Sequence, residues 1–233
     1  MTTLYIIRHG QASFGAENYD KLSAPGEQQA TVTGQHLVRL GLRLDHAVAG
    51  DLSRQQVTAR RALEAWDAPP AIETRPEFNE YNADALFRAY LGPVLDEHPD
   101  LAAQHDEMMR QPRVFQRIFE RVTHKWLADA DHDAEPFEGW NAFRSRVVAG
   151  LARLRDDYDR RARIALFTSG GPVSVCVGES LGLAPEAIVQ LNWVVNNCSI
   201  TLLRSSRDGW RMTGFNNITH LQLAGRDDLV TLR

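Results

Sequence analysis

Short apolar blocks alternate with amphipathic stretches along this chain. Leu4-Tyr5-Ile6-Ile7 runs straight into Arg8, His9 and Gly10, the pattern of a buried strand that meets a loop. Ala12 to Gly26 is polar and rich in breakers and predicts a long loop. Gln28 to Leu42 is weakly amphipathic, with Gly34 disfavouring a continuous helix. Leu44 to Ala49 alternates around His46 and predicts a short strand. Ala59, Ala62, Leu63 and Trp66 share a helical face that Pro69-Pro70 terminates. Ala71 to Thr74 predicts another short strand. Ile164 to Thr168 is a second buried run, broken by Ser169-Gly170-Gly171-Pro172, after which Val173, Val177 and Leu181 open a helix. Cys198 to Leu203, a turn at Asp208-Gly209, and Trp210 to Phe215 predict a β-hairpin.

Between Pro76 and Pro136 the pattern changes. Phe78, Tyr81, Leu86, Phe87, Tyr90 and Leu91 stand among acids, and Phe115, Ile118, Phe119, Val122 and Trp126 share one helical face. Helix-face spacing makes these aromatics core residues before it makes them ligand contacts. This segment reads as a helical cap or lid inserted around residues 76–136, within a single domain spanning 1–233. Strand-helix units followed by a late hairpin predict an α/β fold. The expected form is three-layer α/β/α, with a mostly parallel central sheet and an antiparallel edge strand.

Composition narrows the function classes. The chain has 233 residues, 43% of them hydrophobic, enough for a full-sized core. A net charge of -4 and a pI near 6.1 give no bulk attraction to nucleic acid or membrane. No stretch approaches the ~20 apolar residues of a membrane helix. Met1-Thr2-Thr3 carries no basic region, so a cytoplasmic location is expected. Cys176 and Cys198 lie in apolar segments without metal-type spacing, which predicts structural thiols in a reducing compartment and no metal site.

The candidate chemistry lies at strand ends, where α/β folds place their ligands. Arg8 offers a planar fork for a phosphate or carboxylate, and His9 a nitrogen that can act as base, acid or nucleophile. Ser169-Gly170-Gly171 opens a helix, whose free N–H groups and positive dipole end suit an anion.

Several segments together resemble one family. Arg8-His9-Gly10-Gln11 is similar to the RHG signature of the histidine phosphatase superfamily, the phosphoglycerate-mutase-like proteins. Gly50 to Ala59 resembles its second arginine segment, roughly S-P-L-x-R-A-x-Q-T-A. Phe78-Asn79-Glu80 resembles its acidic segment. Asn197 to Thr201 and Thr219-His220-Leu221 resemble its C-terminal hairpin and tail. The matches run in family order across nearly the whole chain.

The resemblance implies phosphoryl transfer through a phosphohistidine, with no metal and no cofactor. His9 would attack phosphorus, Arg8 and Arg54 would clamp the phosphoryl oxygens, and Glu80 would protonate the leaving oxygen and later activate water. Ser169 and Gly170 would contribute further phosphate contacts, with Gln11 a loop residue beside them. Two arginines would keep His9 neutral by like-charge repulsion, while Glu80 must carry a proton to act as an acid. Asp84 is the alternative acid. The expected activity is that of a histidine (acid-type) phosphatase, a phosphoric monoester hydrolase acting on a small-molecule phosphate monoester. Pairing of the edge hairpin would make a homodimer.

One departure weighs against a simple transfer. The family's second histidine, in H-G-G, is here Ser169. One lost donor can remove ~3–4 kcal/mol of transition-state stabilisation, although the Ser169 hydroxyl still donates one hydrogen bond. Gly15 stands where many relatives have asparagine, with Asn18 or Ser13 as candidate replacements. His220 reads as a structural histidine of the tail. Two alternatives therefore stay open: a phosphate-binding or protein-interaction module that has lost turnover, and a phosphoglycerate-type mutase.

Overall fold

The computed structural model describes residues 1–13, 20–108, 110–134 and 136–232. The chain divides into two compact units, Met1–Glu80 with Arg146–Arg233, and Tyr81–Ser145. In chain order the first unit begins with β1 (Thr3–Arg8), α1 (Ala24–Arg39), β2 (His46–Ala49), α2 (Ser53–Leu63) and β3 (Ile72–Thr74). The second unit holds α3 (Ala83–Glu97), α4 (Pro99–Ala102), α5 (Pro112–Ala128), the short pair β4 (Asp133–Ala134) and β5 (Phe137–Glu138), and the start of α6 (Trp140–Asp156). The first unit resumes in α6 and continues with β6 (Arg163–Thr168), α7 (Gly170–Leu181), α8 (Pro185–Leu191), β7 (Ile200–Ser206), β8 (Gly209–Asn217) and α9 (Thr219–Gln222).

Six strands form one sheet in the order β3-β2-β6-β1-β7-β8. β3, β2, β6 and β1 are mutually parallel, and β7 and β8 complete one side as an antiparallel hairpin. Helices flank the sheet, as the alternation of elements predicts. The two apolar runs of the sequence, in β1 and β6, are neighbours at its centre. Leu4, Ile6, Ile7, Ile164, Leu166 and Phe167 are fully buried there, each contributing roughly 1.5–3 kcal/mol.

α1 begins four residues before the weakly amphipathic stretch. Ser23 caps it by accepting from the Gly26 N–H, and Pro25 occupies its first turn. Gly34, a poor helix former by propensity, stands inside α1 where it meets α2. A methyl group there would stand 1.9 Å from the Ala62 carbonyl oxygen.

The second unit runs from Tyr81 to Ser145, offset from the 76–136 reading of the sequence. Residues 76–80 stay with the sheet because Phe78 is fully buried and Arg146 Nη1 donates to the Glu77 and Asn79 carbonyls. The second unit has its own aromatic core. Trp126 lies 4.7 Å from Tyr81 and 5.4 Å, edge-on, from Trp140. Phe87 stacks on Phe115 and Phe119. Asp84 is exposed and ion-paired with Arg88 within this unit. Among the described residues no helix is long and apolar enough to cross a membrane.

Candidate active site

β1 and β6 pair in the register Arg8 to Thr168. His9 and Ser169 therefore leave the sheet side by side, each one residue beyond its strand. The His9 N–H closes the pairing on the Thr168 carbonyl at 2.8 Å. These are C-terminal strand ends, where the sequence pattern placed the chemistry.

The His9 ring is only 4% exposed. Nδ1 lies 2.7 Å from the Gly10 carbonyl oxygen, and Arg54 Nε approaches Nε2 at 3.3 Å. A carbonyl can only accept and a guanidinium N–H can only donate. Nδ1 must therefore carry the proton, and Nε2 presents its lone pair. Burial, then the charges of Arg54 and Arg8, hold the His9 pKa well below its ordinary 6.5, against the opposing pull of the Gly10 carbonyl.

Arg54 stands in the first turn of α2, and Asp20 fixes it there. The Asp20 carboxylate accepts from the Ser53 and Arg54 backbone N–H groups at 2.7 and 3.3 Å and from Arg54 Nη1 at 2.8 Å. Leu52, at the cap position, has no side chain for this task, so a carboxylate from the segment between β1 and α1 both caps the helix and aims the guanidinium. Thr58 adds a second tie. Its hydroxyl donates to the Arg54 carbonyl at 2.6 Å and accepts from the Gly10 N–H at 3.0 Å.

Arg8 is anchored from the opposite side of the chain. Its Nη1 donates to the Val195 carbonyl and, at 2.7 Å, to that of Leu232. Nearby, Asn197 Nδ2 donates to the His9 carbonyl at 3.1 Å, while its Oδ1 accepts from Thr231 at 2.9 Å. Cys198, at φ +53°, donates its N–H to the Arg8 carbonyl at 3.0 Å. The loop before β7 thus holds the backbone that carries both residues.

The Glu80 carboxylate accepts from the Gly171 N–H, at the N-terminus of α7, at 3.0 Å. One donor of the predicted anion site is therefore already matched to an acid of the chain. The segment leading to Glu80 is firmly held. The Phe78 carbonyl accepts from Thr168 Oγ1 at 2.6 Å and from Gln55 Nε2 at 3.1 Å. Gly170 has no room for a side chain, because a Cβ would stand 2.1 Å from Asn192 Oδ1 and 3.7 Å from Arg8 Nε. Ser169 is fully buried, and its Oγ accepts from Gln55 Nε2 at 2.8 Å. Gln11 joins this loop to α1, its backbone donating to Gln29 Oε1 and its side-chain oxygen accepting from Ser23.

The structure thus gathers His9, Arg8, Arg54, Ser169, Gly170 and Glu80 around the ends of β1 and β6, with Gln11 turned toward α1. Sequence reading passed over Asp20, Gln55, Thr58 and Asn197. Thr58 follows Arg54 by one helical turn, a spacing that could have revealed it. Gln55 stands where the family pattern has alanine, which was a visible signal. Nothing local marks Asp20. Gly15 and Asn18 lie outside the described residues.

His220 is buried away from the reacting atoms. Thr33 spends its hydroxyl proton on the Gln29 carbonyl, so His220 Nε2 donates to Thr33 Oγ1 at 3.0 Å and to the Cys198 carbonyl at 3.1 Å. Both cysteines are free and buried. A separate cleft of about 750 Å³, bordered by Thr2, Tyr158, Arg160 and Arg207, lies at the N-terminal end of β1, opposite His9.

The profile of the histidine phosphatase superfamily (branch 1) matches residues 4–113 and 87–218 of the chain. A protein named "Probable phosphoglycerate mutase GpmB", from Shigella boydii, is 25% identical over 240 aligned residues, covering 98% of this chain and 99% of its own. Phosphoglycerate mutase from Bacillus anthracis superposes with a TM-score of 0.66 at 15% identity, covering 97% of each chain. Alpha-ribazole phosphatase from Shigella flexneri superposes at 0.63 with 21% identity, covering 92% of this chain and 96% of its own.

Proposed function

Because the chain belongs to branch 1 of the histidine phosphatase superfamily, we propose that it hydrolyses a small phosphate monoester, without a metal, through a phosphohistidine on His9. The observation that carries this reading is the state of the His9 ring, neutral, protonated at Nδ1 and presenting Nε2 beside Arg54. A neutral imidazole is the nucleophilic form.

In the first step the Nε2 lone pair attacks phosphorus in line with the leaving oxygen. The N–P bond forms, the P–O bond breaks, and Glu80 gives its proton to the departing alkoxide. This step requires Glu80 to carry the proton when substrate is bound. In the second step Glu80 takes a proton from water, the water oxygen bonds to phosphorus, and the N–P bond breaks. Arg54 and Arg8 supply fixed positive charge for the equatorial oxygens. Their backbone and Asp20 anchors place that charge before substrate arrives, which is most of what phosphoryl transfer requires.

A metal-free assay with p-nitrophenyl phosphate and chelator, from pH 5 to 8, tests the reading beside His9→Ala. The expected result is turnover in the wild type and none in the variant, with acid-labile phosphate trapped only on the wild type. Turnover that survives His9→Ala overturns it. The uncharged Ser169 favours a second reading, a module that binds phosphate without turnover. Phosphate that raises the melting temperature while neither protein turns over would establish that reading instead.

A further inference from the structure

Gln55 and Ser169 are both fully buried, and their contact has a fixed direction. Gln55 Nε2 lies 3.1 Å from the Phe78 carbonyl oxygen and 2.8 Å from Ser169 Oγ. The Phe78 oxygen can only accept, so the amide atom facing it is the nitrogen, and that nitrogen also donates to Ser169. Ser169 Oγ is therefore the acceptor in this bond, and its own proton points elsewhere. Among the described residues no acceptor receives that proton. His9 and Ser169 each follow the last paired residues of β1 and β6, Arg8 and Thr168, and the His9 N–H bonds the Thr168 carbonyl.

Position 55 is an unfavourable place for an amide unless the amide has a task. Gln55 Oε1 is buried and meets no donor among the described residues. It also needs a glycine at position 50, where a Cβ would stand 2.0 Å from it. The segment around Arg54 resembles a pattern with alanine here, and the strand-end segment resembles one with histidine at position 169. A long amide side chain thus stands against a small buried hydroxyl at the end of β6.

We propose that Gln55 is a positioning residue that acts through Ser169. By donating to Ser169 Oγ it directs the Ser169 hydroxyl to donate to an oxygen of the transferring phosphoryl group, so that two neutral side chains do the work of one imidazole. This inference rests on the phosphatase reading. It also makes this donor independent of pH, because neither side chain titrates in the working range.

A double-mutant cycle tests it, with wild type, Gln55→Ala, Ser169→Ala and the double variant assayed on p-nitrophenyl phosphate in chelator. Ser169→Ala should lower kcat by about a hundredfold and Gln55→Ala by about tenfold. In the Ser169→Ala background, Gln55→Ala should change kcat by less than about twofold. A Gln55→Ala loss that persists undiminished in that background overturns the proposal, because Gln55 would then act only on the Phe78–Glu80 segment. Gln55→Met keeps the volume and replaces Gln55→Ala in the cycle if the alanine variant does not fold. The variant Gln55→Ala/Ser169→His should regain activity and acquire a limb in kcat/KM near about pH 6.5, whereas Ser169→His alone should not, because Gln55 fills the space. Equal activity and equal pH profiles in these two variants would count against the proposal. If the wild type shows no turnover, the phosphatase reading fails and the same cycle is read in orthovanadate affinity. Coupled losses there support the pair, and additive losses or no vanadate binding overturn it.

Discussion

Arg54 Nε donates to His9 Nε2 across 3.3 Å, while Asp20 grips Nη1 of the same guanidinium at 2.8 Å. His9 Nε2 is thus covered by a donor that an incoming electrophile would have to displace, and Asp20 limits how far that donor can swing. The same charge keeps the ring neutral. Arg54→Ala should lower kcat/KM by about 10²–10³-fold. It should also move the acid limb of the pH profile upward, because losing a neighbouring positive charge raises the His9 pKa toward 6.5. A pH series on both proteins reads the two effects separately.

Glu80 faces the N-terminus of α7 through the Gly171 N–H. A group that protonates a leaving oxygen matters most when that oxygen is basic. Glu80→Gln should therefore cost about 10²–10⁴-fold in kcat on an alkyl phosphate and distinctly less on p-nitrophenyl phosphate. Equal losses on the two substrates would remove Glu80 from the proton-transfer role.

Burial of His220 against Thr33 and Cys198, with the neighbouring charge of His36, pushes its pKa down to about 4 from 6.5. Below pH 6.5 the unfolded chain takes up a proton that the native state refuses until about pH 4. This contribution to stability is complete above pH 6.5 and is lost progressively between pH 6.5 and 4, by up to about 3 kcal/mol. Melting temperatures across that window should fall in the wild type and flatten in His220→Gln.

Gly34 lies against the Ala62 carbonyl, with 1.9 Å available for a methyl group. Alanine is the better helix former, so on propensity Gly34→Ala would stabilise α1. The close approach reverses the sign, and the variant should lose about 1–3 kcal/mol in chemical denaturation. A gain in stability would show that α1 and α2 separate without cost.

What could be read along the chain and what could not divide by the range of the interaction. The strand ends at Arg8 and Thr168, the Gly-rich opening of α7 and the hairpin β7–β8 follow from local period and breakers. Arg54 and Glu80 were legible only through family likeness, because neither has a local pattern of its own. Asp20 escaped because its partners Ser53 and Arg54 lie across a loop and an entire helix. Gly34 was read by propensity as a weakness of α1, since one sequence does not show what packs against a helix. The compact unit Tyr81–Ser145 is offset from the 76–136 segment for a similar reason. Residues 76–80 belong to the sheet through Arg146, far along the chain.

The central place of β1 also sets a timetable. Its partners are β6, which begins at Arg163, and β7, which begins at Ile200. The His9 carbonyl waits for Asn197, a separation of 188 residues. Closing loops of that length is slow relative to local helix formation. During synthesis the first strand made is therefore among the last to be paired, and it stays an open edge while α1 and α2 form. His9 is near the start of the chain, but its surroundings arrive only with the last strands. A chain halted before Arg163 would carry His9 without the site around it, and with an apolar strand exposed to aggregation.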